Sequence, residues 1–248
     1  MNYFKDSDTG NRRKGESSWM QKKTFRNGSG TNINRSERIT HRRRRAQSMR
    51  QMRDIDGENR MILDLLKLPP DGSVMEIGTG TGALIRMAAK QCAHAVGIDI
   101  SPVMLKYAQM QAESEGLSNI EFHQAGFLSY EYPPETFDGI VSGLAFHHLP
   151  DTWKAVALRK IHSALKPGGR FVLLDVVFDW KEETPETYFE RIVSAEQENR
   201  PNLARHIAQE YSTLGWIMEG LLERAGFTIE FKQENKEFLC LYCAKKAG

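Results

Sequence analysis

From residue 74 to residue 177 short apolar runs alternate with stretches of helical periodicity, and this alternation restricts the fold more than anything else in the chain. Residues 74–77, 95–98, 120–123, 137–142 and 171–177 read as strands. Between them Leu84, Ile85, Ala88 and Ala89 mark one helix. Ser101, a natural N-cap, followed by Pro102 opens a second that runs to about residue 115. Asp151 caps a third, carrying Val156, Leu158, Ile161 and Leu165, which Lys166-Pro167-Gly168-Gly169 stops. The run 171–177 is apolar along its length, as a strand covered on both faces should be. After Trp180 the alternation pauses: 182–199 reads as a polar helical insertion, 201–211 as a connector and 213–225 as a helix. Residues 227–232 and 238–244 then form two strands across a short polar turn, an antiparallel hairpin. The expected fold is α/β: a doubly wound, mostly parallel seven-stranded sheet with an antiparallel C-terminal hairpin. Upstream, residues 40–66 carry apolar positions at mixed three- and four-residue steps, with Gly57 as a break.

The 248 residues are ample for one domain with appendages. We assign 49–248 to that domain, with 180–212 as a cap or lid insertion, and 1–48 to a basic N-terminal arm. Residues 1–53 hold fifteen Lys/Arg against four acids, a charge of +11, while the remainder carries −9. The sharpest run is His41-Arg42-Arg43-Arg44-Arg45. Such a run reads first as a solvated tail, then as a phosphate or anionic-ligand contact. No aromatic residues interleave it to stack on bases. Asp6, Asp8 and Glu16 argue against an organellar presequence. No stretch approaches the roughly 18 apolar residues of a membrane span. Three cysteines suit a reducing compartment, and a cytoplasmic location is expected. Secreted disulfide frameworks, integral membrane proteins and fibrous proteins are set aside.

The chemistry concentrates in Glu76-Ile77-Gly78-Thr79-Gly80-Thr81-Gly82, between a strand and a helix. Glycines let a backbone approach a ligand closely. Asp99 ends the second strand, where a doubly wound fold sets a carboxylate on ribose hydroxyls. Gly78, Gly80 and Ala83 also satisfy the dinucleotide spacing, so spacing alone leaves NAD open. Charge separates the two. A pyrophosphate needs free amides and no nearby carboxylate. S-adenosylmethionine has no phosphate and carries an ammonium and a sulfonium, which Glu76 suits. The competing role for Glu76 is to bond the loop's own amides.

Four motifs in order resemble a class I (Rossmann-like) S-adenosylmethionine-dependent methyltransferase of the type 11 kind. They are Val74-Met75-Glu76-Ile77-Gly78-Thr79-Gly80-Thr81-Gly82, Gly97-Ile98-Asp99-Ile100-Ser101-Pro102, Phe137-Asp138-Gly139-Ile140-Val141-Ser142 and Leu165-Lys166-Pro167-Gly168-Gly169. The resemblance implies that Glu76 and the backbone at Gly78, Thr79 and Gly80 hold the methionine end, with Gly82 in the same loop. It implies that Asp99 binds the ribose and that Ile100 and Met104 pack on adenine. Members often place an Asp after strand three to accept from the adenine amino group; here Gly126 stands in its place, followed by Phe127 as a backbone donor and stacking wall. Ser142 is grouped with the cofactor contacts.

Acceptor contacts are expected from the loops at the carboxyl ends of the strands. His147 is the candidate general base, ahead of His148. Tyr188, Phe189, His206, Tyr211 and Trp19 are candidates for an acceptor pocket, with packing as the competing role of each. Strand four ends Ser142-Gly143-Leu144-Ala145, unlike the Asn/Asp-Pro-Pro-aromatic tetrad of amino-methylating DNA and glutamine enzymes, and no Pro-Cys nucleophile is present. The leading reading is methyl transfer to a small molecule; the others are an RNA methyltransferase guided by the arm and a non-catalytic cofactor-binding protein. No metal set stands out. Cys240 and Cys243 lie three apart on a strand and point to opposite faces, so they read as core.

Overall fold

The computed structural model describes residues 54–195, 200–235 and 238–248; the side chains of Arg200 and Asn202 are not described. The basic arm, Trp19 and the helical reading of 40–53 lie outside those residues. Helix α1 (Ile55–Leu66) starts at an Asp54 cap, whose carboxylate accepts the Gly57 N–H at 2.9 Å. Gly57 therefore sits in the first turn and breaks nothing, contrary to the sequence expectation.

The alternating core is β1 (Ser73–Ile77), α2 (Ala83–Ala89), β2 (His94–Asp99), α3 (Pro102–Ser114), β3 (Ile120–Gln124), β4 (Phe137–Gly143), α4 (Asp151–Ala164) and β5 (Leu165–Phe178). Then follow α5 (Pro185–Ala195), α6 (Arg200–Gln209), β6 (Thr213–Leu214), α7 (Gly215–Arg224), β7 (Phe227–Asn235) and β8 (Leu239–Lys246). The sheet runs β3-β2-β1-β4-β5-β8-β7. The first four pairings are parallel, and β8 joins β5 and β7 antiparallel. The expected seven-stranded sheet and its hairpin are thus observed, with β6 added alongside the end of β5.

Alternation along the strands sorts side chains onto two faces. Met75, Ile77, Ile140 and Leu173 pack with Ala157, Leu158 and Ile161 of α4 and Met218 and Leu222 of α7. Val74, Val141 and Val172 pack on the other face with Ile62, Leu63 and Leu66 of α1 and Leu84, Ile85 and Ala88 of α2. Cys240 belongs to the first cluster and Cys243 to the second, on opposite faces as their spacing required.

Two local expectations change. Lys166-Pro167-Gly168-Gly169 bulges within β5 instead of preceding it: Phe137 pairs Leu165 and Gly139 pairs Arg170, so four residues stand opposite Asp138 alone. Around 201–214 the expected connector is largely α6, and the following helix starts only at Gly215, because Thr213 and Leu214 pair with Val177 and Phe178. Beyond the end of β5, α5 buries Tyr188 and Ile192 against Val176 and Phe178 in a small core of its own. Among the described residues no helix is long and apolar enough to cross a membrane.

Candidate functional site

Parallel strands end their amides and carbonyls along one edge, and the loops there carry the site. After β1, Gly78, Gly80 and Gly82 all take positive φ. At Gly78 the requirement is double: φ is +77° and a Cβ would come within 2.6 Å of the Ala145 Cβ. Four of the loop's amides are taken up by protein oxygens. Gly78 and Thr79 donate to the Ile98 carbonyl at 2.8 and 3.0 Å, and Gly82 donates to the Thr79 carbonyl at 2.8 Å. Gly80 donates to Asp99 Oδ2 at 2.8 Å, while Asp99 Oδ1 accepts the Ser101 N–H at 2.8 Å. Asp99 is thereby fixed between the glycine loop and the start of α3.

Glu76 points to the same face as Val74, toward α2, and is 7% exposed. Its Oε2 accepts from the Thr79 hydroxyl at 2.5 Å and the Ile85 N–H at 3.1 Å. The loop-bonding role weighed from the sequence is therefore present. Burial pushes the Glu76 carboxyl up to about 7, against the lowering effect of those two hydrogen bonds, with Asp99 adding to the rise.

Past Asp99, Ile100 is 75% exposed, an apolar side chain that the described residues leave open. Ser101 caps α3, accepting the N–H of half-buried Met104 at 3.5 Å. Gly126 borders the same place: a Cβ there would lie 3.0 Å from Ile100 Cγ2. Its N–H donates to the Ser129 hydroxyl at 2.9 Å. Phe127 is buried in the core, with its ring edge-on to Phe146 at 5.1 Å.

The exit of β4 closes the site. Ser142 is fully buried between Ile77 and Leu173 in register, and its hydroxyl has no hydrogen-bond partner among the described residues. Leu144 takes φ +55°, costly for a residue with a branched side chain. A 3-10 turn, Phe146–His148, follows. His147 is 6% exposed. Its Nδ1 meets Asp175 Oδ1, its backbone N–H donates to Asp175 Oδ2 at 3.0 Å, and its Nε2 lies 3.0 Å from Glu210 Oε2. His148 Nδ1 lies 3.8 Å and His206 Nδ1 2.7 Å from that same oxygen. Burial, then the neighbouring His147, hold both His148 and His206 below the usual imidazole range.

Asp175 thus faces one ring nitrogen of His147 and Glu210 the other, the surroundings through which a base role at this residue would have to work. Tyr188 is buried against Phe178 and Trp180, and Phe189 packs on the same rings, so both serve α5's core. Tyr211 is exposed. Sequence reasoning missed Asp175 and Glu210. A lone acid in the apolar run 171–177 was a usable signal for Asp175; nothing local marked Glu210.

A glycine loop at the carboxyl end of β1, an acid ending β2 and an antiparallel hairpin beside β5 define a Rossmann-like architecture of the methyltransferase kind. The profile "Methyltransferase domain" matches residues 74–169. A relative described as an uncharacterized methyltransferase, from Anoxybacillus flavithermus (strain DSM 21510 / WK1), is 32% identical over 186 residues, covering 75% of this chain and 84% of that one. One from Geobacillus kaustophilus (strain HTA426) is 31% identical over 185 residues, covering 75% and 82%. Among solved structures, a putative methyltransferase from Bacillus halodurans C-125 superposes with a TM-score of 0.62 at 17% identity, covering 77% of this chain and all of that one. Geranyl diphosphate C-methyltransferase from Streptomyces coelicolor A3(2), solved with Mg2+, geranyl diphosphate and S-adenosyl-L-homocysteine, superposes with a TM-score of 0.63 at 11% identity, covering 77% and 78%. The chain belongs to the class I, Rossmann-like methyltransferase family.

Proposed function

We propose that this methyltransferase takes its methyl group from S-adenosylmethionine and delivers it to a small-molecule acceptor. The observation that carries the cofactor choice is the state of the loop amides. Gly78, Thr79, Gly80 and Gly82 all donate to protein oxygens, and Glu76 and Asp99 bracket the loop. A dinucleotide's pyrophosphate needs such amides free and is repelled by Glu76, whereas Asp99 suits the ribose of either cofactor. A cationic cofactor meets neither obstacle. When bound, S-adenosylmethionine supplies an activated methyl on a sulfonium.

The chain's own residues then divide the work. Asp99, already fixed by Gly80 and Ser101, offers oxygens to the ribose hydroxyls. Ile100 and Met104 pack on adenine, and covering Ile100 removes an exposed apolar side chain from water. Gly126 leaves that face without a carboxylate, so adenine is held there by shape and contact. Glu76 and the loop backbone hold the methionine end. The exit of β4 just past the buried Ser142, at Gly143 to Ala145, lines the methyl side, and α5 with its flanking segment covers the acceptor. Alignment of donor and acceptor supplies the acceleration, with no free imidazole base required. The small-molecule assignment rests on strand four lacking the tetrad of amino-methylating enzymes and on the family neighbour that carries a small substrate.

The test is titration calorimetry with S-adenosylhomocysteine on the intact protein and on Asp99→Ala, with circular dichroism as a fold control. Saturable binding that the substitution abolishes is expected. Absence of binding by folded, intact protein overturns the reading and returns the non-catalytic alternative to first place. Transfer of label from tritiated S-adenosylmethionine to a panel of small acceptors and to RNA then decides the acceptor class.

A further inference from the structure

Three imidazoles and one carboxylate oxygen converge where β4 leaves the sheet. The ligand atoms of His147, His148 and Glu210 all lie within 4.8 Å of one another. Glu210 Oε2 is the focus, with His206 Nδ1 at 2.7 Å, His147 Nε2 at 3.0 Å and His148 Nδ1 at 3.8 Å. Despite these distances that buried oxygen makes no aligned hydrogen bond. Three imidazole nitrogens thus crowd this oxygen without pairing with it. Polar groups that merely pair do the opposite: the same His147 is in hydrogen-bonding contact with Asp175, and His206 Nε2 lies 3.0 Å from the Ser212 hydroxyl.

We propose that His147 Nε2, His148 Nδ1 and Glu210 form a site for a divalent transition-metal ion. Donors each about 2.0–2.2 Å from a zinc-like ion stand roughly 3.0–3.6 Å apart. His147 Nε2 is already 3.0 Å from Glu210 Oε2, and the exposed His148 ring, 3.8 Å from that oxygen, closes the set by turning inward. His147 has the outer partner such a ligand needs. Asp175 takes the Nδ1–H and the backbone N–H of the same residue, which orients the ring and leaves the Nε2 lone pair for the ion. Two imidazoles with a single carboxylate select zinc, nickel or cobalt over magnesium or calcium, which require mostly oxygen donors. Three protein ligands leave a coordination position open, as in catalytic rather than closed structural sites. Ala145, two residues before His147, is the residue a Cβ at Gly78 would strike, so the site sits close to the glycine loop. The proposal does not depend on the acceptor or the cofactor.

The test uses the full-length protein, stripped with chelator and titrated with Co2+, Zn2+ and Mg2+ as chlorides. Expected are one Co2+ per chain with a visible ligand-field band, displacement by Zn2+, and no competition from Mg2+. His148→Ala and Glu210→Gln, both on partly exposed side chains, should weaken Co2+ binding by at least about 100-fold and shift the band, beyond what losing an outer partner costs. Asp175→Asn should weaken it by about 10–100-fold. Thermal melts confirm that each variant is folded. No saturable binding by intact protein overturns the proposal. So does a wild-type cobalt spectrum in folded His148→Ala and Glu210→Gln, which would send the ion to the cysteines or to His41. Because the readout is metal binding, failure here is distinct from failure to bind S-adenosylhomocysteine.

Discussion

Glu76 is the residue whose two roles can be separated by pH. Its folded carboxyl lies near 7 instead of the ordinary 4.5. The folded chain therefore holds a proton that the unfolded chain releases, and stability is greatest below about pH 4.5 and falls as pH rises toward 7. A rise of that size is worth about 3 kcal/mol, and it is flat above the folded value. Glu76→Gln keeps an acceptor for Thr79 and Ile85 but has no charge to bury. It should be more stable than the parent at pH 8 and lose the slope between 5 and 7, as denaturant titrations across that range will show. Cofactor binding runs the other way. An ammonium needs the ionised carboxylate, so S-adenosylhomocysteine affinity should rise about tenfold from pH 6 to pH 8 and stay level in Glu76→Gln. A parent affinity independent of pH would place the methionine end elsewhere. Gly126 belongs to the same scale. Its departure from the family pattern was legible in the sequence, but the crowding a Cβ would cause against Ile100 was visible only in space.

At the scale of elements, α4 and the segment after α6 are tied by one buried lysine. Lys154 is fully buried and donates to Asp151 at 2.9 Å and to the Tyr211 carbonyl. Thr213 donates to the other Asp151 oxygen at 3.0 Å, and the Tyr211 N–H donates to the His147 carbonyl at 2.8 Å. These bonds fix the strip that carries Glu210 beneath the β4 exit. Lys154→Met keeps the aliphatic volume and removes the donor. It should cost about 3 kcal/mol, near the lower end for breaking a buried pair because Asp151 keeps contact with water. A melt of the variant measures the loss, and faster proteolysis within 200–214 would locate it. Loss of stability without local opening would mean that the lysine acts on α4 alone. Pattern reasoning placed α4 correctly from its apolar spacing, although Pro150 takes the cap position and Asp151 is the first helical residue, yet it read 201–211 as a connector. The apolar side of α6 is a single i, i+4 pair, buried Leu203 and Ile207, of which Ile207 packs on the small core of α5; so short a stripe among polar residues carries little periodic signal.

The whole molecule is two populations of charge, +11 over residues 1–53 and −9 beyond. Every residue proposed for the cofactor lies between 76 and 145, so deleting 1–48 should leave S-adenosylhomocysteine affinity unchanged. The same deletion should remove any low-salt affinity for RNA, because non-specific binding scales with the phosphates that lysine and arginine neutralise. RNA affinity unchanged by the deletion would count against an RNA methyltransferase guided by the arm. The order of strands and helices from 74 to 177, the glycine loop, the acid at the end of β2 and the final hairpin could all be read from the chain itself. Each is a local pattern: alternation sets the faces, small residues mark turns, and the motif spans a single strand–loop–helix unit. The cluster at His147 could not be read this way. Asp175 is 28 residues from His147 and Glu210 is 63, and no period links them. They meet because β5 runs parallel beside β4 and β6 returns the chain to the end of β5, so that crossing the sheet, not distance along the chain, decides which side chains share one buried pocket of charge.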